Sequence, residues 1–72
     1  MVNTNKLRGK IVECGLSTAE VAEAIGINPA TFYRKLNENG GTFLIREADA
    51  ISKVLNLTAS EVNAIFFAQY VA

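Results

Sequence analysis

Histidine is absent from the 72 residues, and cysteine occurs once, as Cys14. One cysteine forms no internal disulfide, and without histidine a structural zinc site has too few soft ligands. The most common general base is missing too, and neither a paired nucleophile nor a glycine-rich phosphate cradle stands in for it. The sequence therefore reads as non-enzymatic, with no cofactor and no small-molecule substrate. No apolar run is long enough to span a bilayer, and the N-terminus lacks the apolar core of a signal peptide. No membrane partner is expected, and a soluble, reducing, cytoplasmic setting is. A charge excess of either sign is also missing, because seven Lys and Arg balance seven Asp and Glu. A domain that binds nucleic acid unaided usually carries a basic excess, since neutralising phosphates supplies most of its affinity.

What remains is an apolar half and very legible helix punctuation. Half of the residues are apolar, enough for one small core, so residues 1–72 are expected to form a single domain. In "LSTAEV", Ser17 suits a helix N-cap, Glu20 reaches back to its amide, and Leu16 and Val21 staple the first turn. "LTASEV" repeats this grammar with Thr58, Glu61, Leu57 and Val62. In "INPATF", Asn28 is the cap, Pro29 the first helical residue, and Ile27 with Phe32 the staple.

The helix from Pro29 should end near Asn39, ahead of Gly40 and Gly41. Before these, "NTNKLRGKIVECG" predicts a first helix with Leu7, Ile11 and Cys14 on one face and Gly15 as its stop. Cys14 reads as a small core residue. Leu44, Ala48, Ile51 and Leu55 share a face of a fourth helix, over about 45–55, with Asn56 as its stop. A fifth runs from Ala59 towards Gln69. No segment alternates at period two. The expected fold is all-α: a compact bundle of five short helices containing a helix-turn-helix.

The corner rests on three residues. Two helices crossing steeply need a small residue where their backbones approach, and Ala22 supplies it. The turn needs a residue tolerant of positive φ, which Gly26 is, and the second helix needs an inward apolar anchor, Phe32. Val21, Ile25, Ile27 and Leu36 fill the other inward positions.

On these residues the chain resembles the Cro/lambda-repressor type of helix-turn-helix domain. The resemblance covers "LSTAEVAEAIGINPATFYRKLNENGGTFLIREADAISKVLNLTASEVNAIFF", residues 16–67. With "TFYRKLN" in the third helix and "IFF" near the end, it is similar to small phage-encoded switch proteins of the modulator-of-repression or Cro type. The resemblance implies a role in phage or prophage transcription control. It makes 17–25 the positioning helix and 28–37 the recognition helix, whose early residues normally reach base edges.

Candidate readers are Asn28, Ala30, Thr31 and Tyr33, followed by Arg34, Lys35 and Asn37 as further partner or DNA contacts. The early turn holds no Arg, Lys or Gln, the bidentate readers of guanine and adenine. Arg34 and Lys35 can grip phosphates or an acidic partner, or stand as solvated charges near a helix C-terminus. Lys6, Arg8 and Lys10 make the N-terminal segment locally basic, either to contact a backbone or as a solvated face. Tyr33 cannot turn inward together with Phe32, so it is expected at the surface, where tyrosine is a good interface anchor. In the tail "IFFAQYVA", Ile65 and Phe66 continue the inward face, which leaves Phe67, Tyr70 and Val71 as secondary interface candidates.

Two functions follow. The first is a regulator that binds a larger cognate phage repressor as antirepressor or co-repressor, alone or jointly on operator DNA. The alternative is an autonomous Cro-like operator-binding repressor.

Overall fold

Five helices follow one another in a computed structural model that describes residues 2–38 and 43–67. They are α1 (Thr4–Glu13), α2 (Thr18–Ala24), α3 (Pro29–Asn37), α4 (Ile45–Val54) and α5 (Ala59–Phe66), with no strand among the described residues. Four caps are side-chain oxygens: Asn3, Ser17, Asn28 and Thr58 accept from the amides of Lys6, Glu20, Ala30 and Glu61. The Glu20 and Glu61 carboxylates accept in return from the Ser17 and Thr58 amides, each at 2.9 Å, which completes two capping boxes.

The helix ends share one device. After α1, α2 and α4 a residue with positive φ reverses the chain: Gly15 at 75°, Gly26 at 77° and Asn56 at 52°. The amide beyond each reaches back into the helix it leaves, Leu16 to Ile11, Ile27 to Ala22 and Leu57 to Ser52, in the Schellman pattern. Leu16, Ile27 and Leu57 each also precede the N-cap of the next helix, and all three pack against the core. One apolar residue thus closes one helix and staples the next, so these corners are fixed almost entirely by local chemistry.

The core draws on every helix: Leu7 and Ile11, Val21 and Ala22, Phe32 and Leu36, Ile51 and the following Leu55, Ile65 and Phe66. Helices α2 and α3 are the most closely packed pair, and Ala22 at their corner is fully buried. Phe32 lies edge-on to Phe43, with ring centroids 5.5 Å apart. The Asn3 amide donates to the Ile65 carbonyl at 2.7 Å, which ties the N-terminus to α5. Lys10 on α1 pairs with Glu61 on α5. That ammonium, aided by the Thr58 amide, pulls the Glu61 carboxyl down to about 2.

Several expectations shift. Cys14 is exposed, not part of the core, because it is the C-cap from which Gly15 turns the chain away; its thiol still lies 3.7 Å from the Leu55 carbonyl. Leu44 is exposed as well. It stands in extended backbone as the residue before α4, so its spacing to Ala48 does not place it on that helix's inner face. α3, by contrast, ends at Asn37 with Glu38 as its C-cap, close to the expected end near Asn39. α5 is described to Phe66 with Phe67 as its C-cap, and the expected continuation to Gln69 lies outside the described residues.

Candidate partner and nucleic-acid interface

Helix α3 is held at both ends and along one side. Asn28 caps it, Pro29 opens it, and Phe32, Lys35 and Leu36 face inward. What points outward follows from the 3.6-residue repeat: Ala30, Tyr33, Arg34 and Asn37 form one exposed stripe, with Thr31 half-buried at its edge. Tyr33 is 51% exposed.

The polar groups on this stripe are largely committed. The Asn28 side-chain oxygen accepts from the Ala30 amide at 2.9 Å, so that acceptor is spent on the cap. Arg34 lies 3.4 Å from Glu38 one turn on, an exposed pair whose mutual attraction is small but whose charges cancel locally. Glu20 and Glu23 add exposed negative charge on α2.

Lys35 departs from the expected contact set. It is only 9% exposed, and its ammonium lies 2.7 and 3.0 Å from the two oxygens of Glu47 at the start of α4. It also sits 5.8 Å from the centre of the Phe43 ring. The reason is helical phase. Position 35 shares a side with Phe32 and Leu36, and the lysine stem covers apolar surface while the charge meets a carboxylate. Burial works against ionisation of Glu47, but the Leu44 amide and the Lys35 ammonium together hold its carboxyl below the ordinary value. Lys35 serves to join α3 to α4.

Arg8, read from the sequence as a backbone contact or a solvated charge, joins α3 in this site. From α1 its guanidinium donates to the Asn37 side-chain oxygen at 3.0 Å and lies 5.7 Å from the Tyr33 ring centre. The partners are 29 positions apart, and no local pattern signals such a contact. Of its basic neighbours, Lys10 is engaged with Glu13 and Glu61, while Lys6 is exposed.

The secondary candidates divide. Phe67 is 42% exposed and lines a groove of about 300 Å³ with Val2, Phe43, Ile45, Val62 and Phe66. Ile45, at 85% exposure, stands on its rim. Tyr70 and Val71 lie outside the described residues. Among the described residues no helix is long and apolar enough to cross a membrane.

In a comparison with protein families, the model of the Cro/C1-type HTH DNA-binding domain matches residues 6–66. No curated protein and no solved structure matches the chain at a significant level.

Proposed function

The chain belongs to the Cro/C1-type family of helix-turn-helix DNA-binding domains, which are domains of transcription regulators. From that premise we propose that it acts in a phage-type genetic switch by binding a larger cognate repressor protein through the exposed stripe of α3, as antirepressor or as co-repressor on shared operator DNA. The observation that carries this reading is the chemistry of that stripe. An exposed tyrosine stands between a small alanine and an asparagine, and the helix's one outward cation, Arg34, is balanced by Glu38. A bare phosphate backbone rewards net positive charge, whereas a protein surface rewards a rigid aromatic anchor with both signs of charge around it. The inward turn of Lys35 removes the second cation that a phosphate-gripping helix would use.

The test is titration of the purified protein with the repressor encoded at the same genetic locus, followed by calorimetry. Micromolar or tighter binding that Tyr33→Ala weakens is expected, and no heat and no co-elution would sink the reading. The autonomous Cro-like alternative is favoured by the family match, which by itself makes operator DNA a natural ligand. It predicts specific operator binding by the protein alone, with a steep decline in affinity as salt rises.

A further inference from the structure

Among the described residues Arg8 is a cation beside α3 that is held in place and incompletely used. Its guanidinium lies over the Tyr33 ring and gives one amino group to Asn37. Among the described residues Asn37 is its only hydrogen-bond acceptor, and no carboxylate pairs with it. A guanidinium carries five N–H donors in a planar fork, so one bond to an amide leaves most of them free. The cation–π contact at 5.7 Å and the bond to Asn37 together restrict where the fork can go and lower the entropy lost when it meets a planar anion.

We propose that Arg8 is a specificity-determining residue of the α3 surface. Seated across the helix boundary by Tyr33 and Asn37, it receives a carboxylate from an Asp or Glu of the partner protein. The inference rests on the reading of that surface as a repressor-binding face. It makes the face a composite of α1 and α3, with Tyr33 serving both as anchor and as the floor beneath the guanidinium. A carboxylate fits better than a DNA phosphate because Glu38, next to Asn37 at the end of α3, and Glu20 and Glu23 on α2 are exposed acids of the helix-turn-helix. Those acids repel a continuous phosphate backbone, while a folded partner can place one acid at Arg8 and bases opposite the others.

The experiment measures affinity for the purified repressor of the same locus, and separately for operator DNA alone, at low and at physiological salt, for wild type, Arg8→Gln, Arg8→Lys, Asn37→Ala and Tyr33→Ala. Arg8→Gln is expected to bind about tenfold more weakly with a flatter salt dependence, at an unchanged thermal midpoint. Arg8→Lys should recover little, because an ammonium lacks the planar fork, and Asn37→Ala should lose about threefold by freeing the guanidinium. If wild type fails to bind the repressor, the surface reading and this inference fall together. If wild type binds, Tyr33→Ala loses affinity, and Arg8→Gln binds like wild type, only the role of Arg8 is overturned. Full binding by Arg8→Lys overturns the seated fork. A loss confined to operator DNA, measured without repressor, assigns Arg8 to phosphate and overturns the carboxylate. A lowered midpoint for Arg8→Gln with normal binding by Asn37→Ala marks Arg8 as structural and overturns it as well.

Discussion

The Lys35 ammonium and the Glu47 carboxylate meet at 2.7 Å with side chains only 11% and 12% exposed, and this ion pair clamps α3 to α4. It sets the orientation of α3 while withholding a cation from the surface. Glu47→Ala leaves a nearly enclosed ammonium without its counter-charge and is expected to cost about 2–3 kcal/mol. Lys35→Met should cost clearly less, since methionine refills the stem's volume and the Leu44 amide still bonds Glu47 at 2.8 Å. Denaturant unfolding of the two variants checks this. Equal stability of Glu47→Ala and wild type would show that the clamp contributes nothing.

Surface variants on α3 should separate binding from folding. Tyr33→Ala and Arg34→Glu remove exposed side chains, so thermal midpoints should stay near wild type while repressor binding falls by about tenfold or more. Ala22→Leu is the opposite control: it overpacks a fully buried corner and should cost about 1–3 kcal/mol. If both surface variants regulate normally while folded, attention moves to the groove beside Phe67.

Stability should decline in acid for an identifiable reason. The Glu61 carboxyl is held at about 2 against an ordinary 4.5, first by Lys10 and then by the Thr58 amide. Because the folded value is the lower one, the stabilisation is fully present above 4.5 and drains away as the pH falls towards 2. Glu47 is shifted in the same direction and adds to the slope. Unfolding free energies at a series of pH values should therefore fall between about pH 4.5 and 2. The curve for Lys10→Met should be flatter over that window.

Two glycines should respond with opposite signs to the same change. Gly26 has a φ of 77° and nothing within 4 Å of an added Cβ, so Gly26→Ala meets backbone strain alone and should cost about 1–2 kcal/mol. Gly9 is exposed inside α1 with equally open space, so Gly9→Ala should stabilise by about 0.5–1 kcal/mol. Thermal melts of both variants decide, and a stabilised Gly26→Ala would show that the corner tolerates a different turn.

What the sequence determined by itself was local. Ser17, Asn28 and Thr58 as caps, Gly15, Gly26 and Asn56 as stops, and Leu16, Ile27 and Leu57 as staples act within a few residues, so one-dimensional spacing contains their physics. The all-α fold and the helix-turn-helix corner follow from those signals with Ala22 and Phe32. What the tertiary structure decided was the fate of the charged side chains. Two adjacent cations, Arg34 and Lys35, look alike in sequence, yet helical phase sends one to solvent and the other to a carboxylate twelve residues away. Arg8 reaches Tyr33 and Asn37 only because the fold brings α1 within side-chain reach of α3. Long flexible side chains carry little local preference, so which surface each charge joins is set by neighbours that only the folded chain brings together.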